Sequence, residues 1–339
     1  MKNPSIPTSM RALVLEEFGK TPVGKTVEVP KPGKGQILVK IDSSPINPSD
    51  YSFMRGLYST AKKTPVIPGF EASGTVVAAG SGFMAKLLLG KKVACFAPSD
   101  GNGTWAEYMV TKSGLAVPLM KGMELEQGSM LMVNPISVMA MIDLARKGHH
   151  KAIANTAAAS ALGRFLNVVC NDLNIPLVNI VRRLEQVKIL EAIGAKHILV
   201  SEKPDFADEL KEVFSRLQLT LAFDAIGGKS VFDLVNALPP HGEVKIYGAL
   251  SEESLSAHPG KLIFEHKKIS GFWVSSWVGQ QPILKMLWIF RSIQKYMKDT
   301  HHAEVQRRIT LDEVGACMPT YKQNMTAGKI LVKPGKTTR

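Results

Sequence analysis

The residues from Lys151 to Val200 hold the pattern with the clearest chemistry. Lys151 to Asn155 reads as a strand. A turn of small residues follows, Ala157-Ala158-Ala159-Ser160-Ala161-Leu162-Gly163, then a helix through about Leu173. A second apolar strand, Leu177 to Val181, ends on Arg182-Arg183. A first turn without bulky side chains lets a pyrophosphate approach backbone N–H groups at a helix N-terminus, here around Ser160, Ala161, Leu162 and Gly163. Cations about twenty residues further on lie where a dinucleotide's ribose sits. An acidic residue there favours a free 2′-hydroxyl, whereas Arg182 and Arg183 favour a 2′-phosphate. The pattern points to NADPH. The glycine fingerprint is not strict: Ala158 and Ser160 take its first two glycine positions and only Gly163 remains. Taken singly, the turn also reads as ligand-free packing and the arginines as a solvated pair. Their spacing together carries the nucleotide reading.

These residues need a parallel sheet to position them. Downstream, helix and strand patterns alternate: Glu185 to Ile193 (helix), His197 to Val200 (strand), Asp205 to Leu217 (helix), Thr220 to Asp224 (strand), Ser230 to Ala237 (helix) and Glu243 to Tyr247 (strand). Repeated βα units predict a doubly wound parallel sheet. Tyr247 and Gly248 then fall at its carboxyl edge, where ligands bind. Lys268 to Val274 is a further strand candidate, and Pro282 to Met297 an amphipathic helix. Met130 to Arg146 reads as a buried helix. Residues 10 to about 125 are mainly β, with runs such as Arg11 to Leu15, Gln36 to Ile41, Gly74 to Ala79 and Lys92 to Phe96 set between Pro/Gly turns, which suggests a barrel or sandwich. The tail returns to β character at Lys329 to Val332. The order predicts a β domain (1–127 and 276–339) interrupted by an α/β domain (128–275).

Composition excludes several classes. The 339 residues are 45% hydrophobic and 21% charged, as in ordinary globular proteins. Cys95, Cys170 and Cys317 are far apart, so neither a disulfide framework nor a clustered zinc lobe is written here. The net charge of +13 is spread along the chain with no basic block, which suits polyanionic small molecules better than nucleic acid. Met1 to Met10 has no apolar core for secretion and too few basic residues for a transit peptide, so neither signal is expected, and the longest apolar run, Ser129 to Ala145, is broken by Asn134, Pro135 and Asp143. A cytoplasmic protein without a membrane partner is expected. His149-His150 and His301-His302 are the only histidine pairs and read as solvated.

Ser44-Pro-Ile-Asn-Pro-Ser-Asp50, Gly69-Phe-Glu-Ala-Ser-Gly74 and Gly103-Thr-Trp-Ala-Glu-Tyr108 together resemble the medium-chain dehydrogenase/reductase superfamily. The match runs from about Met10 to Pro334. Val133-Asn-Pro135, Asn179 to Arg183 and Gly271-Phe272-Trp273 resemble its trans-2-enoyl-CoA reductase and quinone reductase branch. The resemblance implies a GroES-like β domain plus a Rossmann domain, with the active site between them, and a homodimer that extends the sheet near Lys268 to Val274. It implies that Asn134 and Ser137 contact the nicotinamide half of the cofactor, and that Phe272, Trp273 and Lys329 lie near the cofactor. The residue pattern alone reads Lys329 as a solvated strand-end lysine. Trp273 and Trp277, as aromatics on an apolar strand, read either as core or as walls of an apolar pocket.

In zinc-dependent relatives the metal ligands fall at positions matching Asn47, Phe70 and roughly Val133. An amide, a phenyl and an isopropyl group do not ligate zinc, and no zinc is expected. Chemistry then shifts to substrates that spread negative charge by conjugation: enoyl thioesters, enones or quinones. These need a hydrogen-bond donor at the carbonyl oxygen and a proton source. The resemblance assigns proton donation or substrate orientation to Tyr58, and Asn47 would approach nicotinamide or substrate, although Asn-Pro-Ser-Asp is also a turn signal. The leading expectation is a zinc-independent, NADPH-dependent reductase of activated double bonds. An NADPH:quinone oxidoreductase or a non-catalytic NADPH-binding protein are the alternatives.

Overall fold

Short β-forming runs between Pro/Gly turns produce the strands of the first half. In the computed structural model, which describes residues 6–58, 61–323 and 325–335 (backbone alone for 322 and 323), these are β1 (Ser9–Val14), β2 (Val23–Glu28) and β3 (Gln36–Pro45), then helix α1 (Pro48–Met54). β4 (Glu71–Ala79), α2 (Phe83–Leu88), β5 (Lys92–Phe96), β6 (Tyr108–Lys112), β7 (Ala116–Pro118) and α3 (Leu125–Gly128) follow. The middle of the chain alternates: α4 (Asn134–Lys147), β8 (Ile153–Asn155), α5 (Ala161–Asp172), β9 (Leu177–Val181), α6 (Val187–Glu191), β10 (His197–Val200), α7 (Phe206–Arg216), β11 (Leu221–Asp224), α8 (Lys229–Ala237) and β12 (Glu243–Ile246). Then come α9 (Pro259–Ile263), β13 (Lys268–Gly271), α10 (Val274–Gly279), α11 (Ile283–Asp299), β14 (Val305–Ile309), α12 (Val314–Gln323) and β15 (Lys329–Val332).

The chain divides into two units, Met1–Val133 with Phe290–Arg339, and Asn134–Ile289. In the first, one sheet runs β14-β15-β3-β4-β5-β7, with β6 also paired to β3, and β1-β2 forms a separate antiparallel pair. β3 is long enough to serve three neighbours: antiparallel β4 and β6 along most of its length, and β15 at its end, where Leu331 pairs with Pro45. Irregularities in its register against β4, at Leu38/Val39 and Ile41/Ser43, bend it between these partners. One apolar cluster, with Leu15, Phe53, Trp105, Tyr321 and Val332, fills one side, and a second, with Ile37, Val93 and Met109, the other.

The second unit is a fully parallel six-stranded sheet in the order β10-β9-β8-β11-β12-β13. Chain order reverses between β8 and β11, so the strands open a crevice there at their carboxyl ends. This is the α/β doubly wound architecture that the alternating pattern predicts; the first unit is the GroES-like β unit.

Some expectations need correction. The helix expected from Met130 begins at Asn134, because Pro135 lacks an N–H and is accepted only in a first helical turn. The strand expected to reach Val274 stops at Gly271: Trp273 caps α10, and Trp277 sits inside that helix with its Nε1 donating to Asp143 at 3.1 Å. Neither tryptophan is on a strand. His150 is half-buried and hydrogen-bonds Thr220 Oγ1 at 2.7 Å, so it is not the solvated histidine expected.

Gly163, in the first turn of α5, lies on the backbone of the preceding turn. A Cβ there would stand 2.3 Å from the Ala158 carbonyl oxygen and 2.6 Å from its Cα. Gly163→Ala should therefore destabilise by about 1–3 kcal/mol, although alanine is the better helix former by roughly 1 kcal/mol. Urea unfolding checks this, and an unchanged midpoint would mean that α5 is free to move off the turn.

Candidate functional site

Three strand ends of the first unit meet around a buried lysine. Asn47 follows β3 and caps α1, Glu71 opens β4, and Lys329 opens β15. The Ile46 amide donates to the Ile330 carbonyl at 2.9 Å, which brings the first and last of these segments together. Lys329 is 5% exposed and its ammonium donates to Asn47 Oδ1. Asn47 Nδ2 donates to Glu71 Oε1 at 2.9 Å, and Glu71 Oε2 accepts the amides of Met132 (3.0 Å) and Val133 (2.9 Å). Asp50, also buried, accepts the Asn47 amide on Oδ2 at 2.7 Å, while its Oδ1 has no hydrogen-bond partner among the described residues. The solvated reading of Lys329 is thus overturned: its partners lie far away in sequence and enclose it.

Burial shifts each of these groups. It raises the Glu71 carboxyl, opposed by Lys329 and the hydrogen bonds Glu71 accepts, and lowers the Lys329 ammonium, opposed by Glu71 and Asp50. Lys62 is 6% exposed, and its ammonium lies 5.5 Å from the Phe70 ring centroid and 5.8 Å from that of Phe53. Burial lowers it to about 8, against the pull of Asp50 and Asp100. Tyr58 packs on the same Phe70 ring, with ring centroids 5.1 Å apart. Asn47, Tyr58 and Lys329, singled out separately in sequence, are therefore linked through the adjacent pair Phe70-Glu71.

The donor set does not fit zinc. Where metal-binding relatives place ligands, the amide of Asn47 is committed to Glu71 and Lys329, Phe70 carries a ring, and Val133 has a side chain without a donor atom, its backbone N–H being given to Glu71. The cation beside Glu71 is an ammonium. Among the described residues no group of three or more His, Cys, Asp or Glu could hold a metal.

The second unit presents the other half of the pattern. Ser160 caps α5, and its hydroxyl oxygen accepts the Gly163 amide at 3.2 Å. Ala157 adopts φ +49°, so the tight turn is made by an alanine in a left-handed conformation, one residue before the first fingerprint position. Ala161 and Leu162 open the helix, whose first amides have no intrahelical partner. Arg182 and Arg183 follow the carboxyl end of β9 and are both exposed; Arg182 Nε stands 3.5 Å from Glu202. Tyr247, beyond β12, donates its hydroxyl to Asn155 at 2.9 Å, and burial raises its phenol well above the usual range. At Gly248 a Cβ would meet the Ala225 carbonyl oxygen at 2.6 Å, so the β11 and β12 ends approach closely. Phe272 packs edge-on to Phe223, centroids 6.3 Å apart, and Trp273 is 48% exposed. Asn134 and Ser137 lie in the first turn of α4, Ser137 buried. The small-residue cradle, the capped helix start and the exposed cations fit a phosphorylated dinucleotide.

Sequence reasoning missed a polar staple at the same edge. Asp224 Oδ1 accepts Thr156 Oγ1 (2.8 Å) and Ser230 Oγ (2.6 Å), and its Oδ2 accepts the Gly227 amide (2.6 Å). Asn155 is wholly buried, and its Nδ2 has no partner among the described residues. The available signal was a polar residue ending each otherwise apolar strand. Lys62 carried no signal, because Lys62-Lys63 looks like any solvated pair.

Burial lifts Asp50 from 3.8 to about 7, with Glu71 adding to the rise and the Asn47 hydrogen bond, Lys329 and Lys62 opposing it. Between these two values the folded chain holds a proton that the unfolded chain has lost. Its contribution to stability is complete below the lower value and is lost as pH rises through the upper one. The parent should therefore lose on the order of a few kcal/mol across this window, and Asp50→Asn should lose less. Urea unfolding at several pH values checks this; identical slopes would show that Asp50 is ionised throughout.

Two family models match the chain: the alcohol dehydrogenase GroES-like domain over residues 33–121 and the zinc-binding dehydrogenase domain over 140–288. The mitochondrial enoyl-acyl-carrier-protein reductase of Caenorhabditis elegans is 31% identical over 285 residues, 79% of this chain and 78% of that protein. The crystal structure of a provisionally named NADPH:quinone reductase from Mesorhizobium loti is 33% identical, with a TM-score of 0.90 over 97% of this chain and all of that one (100%). A complex of ETR1P with NADP and crotonyl-CoA shares the fold at 20% identity, TM-score 0.81, covering 96% of this chain and 100% of that one. The chain belongs to the medium-chain dehydrogenase/reductase superfamily of NAD(P)-dependent oxidoreductases, homologous to mitochondrial enoyl-acyl-carrier-protein reductases and NADPH:quinone reductases.

Proposed function

We propose that this protein is a zinc-independent, NADPH-dependent reductase of activated double bonds, with enoyl thioesters as its substrate class. The observation that carries the reading is the Lys329–Asn47–Glu71 centre, where an ammonium and an amide stand in place of a metal-binding set. Without a Lewis acid, a simple ketone lacks strong stabilisation of its developing alkoxide. An enoyl thioester spreads that charge onto its carbonyl oxygen and needs only a hydrogen-bond donor and a proton. When bound, the reduced nicotinamide supplies hydride to the β-carbon of the substrate. Tyr58 either donates the proton taken up at the α-carbon, regaining it from water, or orients the substrate while water donates that proton, so the double bond gains one hydride and one proton. Asn47 is held at both ends of its amide and gives the site a fixed dipole. Arg182 and Arg183 bind the 2′-phosphate.

A quinone substrate is the second reading, favoured by the 33% identity to the Mesorhizobium loti protein. The assembly proposed is a cytoplasmic homodimer. Among the described residues β13 is the edge strand of its sheet, and exposed apolar side chains of the same unit, Phe264 (81%), Leu284 (80%) and Trp288 (60%) among them, support a protein-covered face. No described helix is long and apolar enough to cross a membrane.

Following NADPH absorbance with crotonyl-CoA and then with a quinone tests the reaction. Turnover with crotonyl-CoA supports the proposal, turnover with the quinone alone favours the second reading, and NADPH binding without either turnover leaves a binding protein. Tyr58→Phe should lower kcat by about 100-fold with NADPH affinity unchanged, and an unaffected rate would remove Tyr58 from the chemistry. Arg182→Ala should weaken NADPH by about 10- to 100-fold and NADH hardly at all; equal weakening of both would refute the 2′-phosphate contact.

A further inference from the structure

Helix α2 carries apolar side chains on both of its faces. Ala85 and Leu88 are buried in the core with Ile37, Val76 and Val93. Phe83, Met84 and Leu87, on the other side, are 76%, 59% and 52% exposed, and Leu89 just beyond the helix is 46% exposed. A surface helix ordinarily turns polar groups to water, so this outward face lacks the usual reason to be apolar.

Lysines surround it. Lys86 lies in the helix, and Lys91 and Lys92 follow it, the Lys91 amide donating to the Leu88 carbonyl at 2.9 Å. Lys34 precedes Gly35, whose amide donates to the Ser81 carbonyl at 2.7 Å just ahead of the helix. Lys112 precedes a short turn, Ser113–Leu115, that packs on α2, and the Ser113 amide donates to the Gly35 carbonyl at 2.9 Å. All five lysines are exposed. The three segments that converge here, residues 29–41, 72–99 and 108–123, contain no Asp or Glu at all. Although they come from separate stretches of chain, the fold gathers them into one basic surface with an apolar centre.

We infer that this face docks on an anionic lipid surface. Phe83, Met84, Leu87 and Leu89 enter the region between head groups and acyl chains, and the lysines stay at head-group level opposite lipid phosphates and carboxylates. Phe83, Met84, Leu87 and Leu89 are each 46% exposed or more, so they project toward solvent. A protein partner would bury its anchors in pockets, whereas a fluid lipid surface needs none. The contact is peripheral and reversible, because one helix of six residues inserts little area. It lies wholly within the first unit and does not depend on which substrate is reduced.

The test is co-sedimentation of the full chain with vesicles of phosphatidylcholine alone and of phosphatidylcholine mixed with phosphatidylserine. The protein should bind the mixed vesicles, release with added salt, and bind the neutral ones weakly. The variants Phe83→Asp/Leu87→Asp and Lys91→Glu/Lys92→Glu should each lower binding by at least about tenfold, with unfolding midpoints close to that of the parent. Absence of binding to either vesicle, equal binding to both, or binding unchanged in both variants would overturn the inference. So would capture by an immobilised acidic protein with no vesicle binding, which would make the face a protein-docking surface.

Discussion

A lysine ammonium closed off from water is tolerated only where the surrounding groups replace its hydration, and Lys329 depends on this condition. Asn47 accepts its hydrogen bond, and the Glu71 carboxyl, with Asp50 where it is ionised, supplies opposing charge. None of these partners is independent. Glu71 is fixed by Asn47 and by the amides of Met132 and Val133, and Asp50 by the Asn47 amide. The end of β3, the start of β4 and the start of β15 must therefore arrive together, and the last strand of the chain completes a centre begun by residues near its start.

The same condition shapes the chemistry. An ammonium cannot polarise a carbonyl as a metal does, but an amide held between the Lys329 ammonium and the Glu71 carboxylate keeps one orientation of Asn47. Phe70, next to Glu71, carries Tyr58 on one contact and Lys62 on another. The corner combines fixed dipoles, aromatic walls and titrating groups moved from their ordinary values by burial. The reductase proposed above places its proton chemistry at this corner. The second unit uses neutral groups instead: Thr156, Ser230 and backbone amides satisfy Asp224, holding the β8 and β11 ends at the point where strand order reverses.

Legibility differed by element, for local reasons. β9 at Leu177–Val181 and β10 at His197–Val200 stand where the apolar runs put them, because strands covered on both faces read as uninterrupted runs between turns. The apolar run from Met130 hid the true start of α4, which Pro135 marks. Gly271 to Val274 looks like strand but continues into a helix, because Trp277 finds its indole partner in Asp143 of α4. The staple on Asp224 left only a weak signal, since a single polar residue at a strand end is equally compatible with solvent.

The sequence by itself determined the alternation of strands and helices, the small-residue turn ahead of α5 and the cations that follow β9. Those features rest on side-chain periodicity and turn chemistry within a few residues. Tertiary structure alone decided which charges are buried and which are gathered. Lys329 meets Asn47 across 282 positions, and the lysines around α2 come from three segments that no local pattern connects. Burial and charge proximity are properties of distance in space, and a lysine in a sequence looks the same whether water or a carboxylate will surround it.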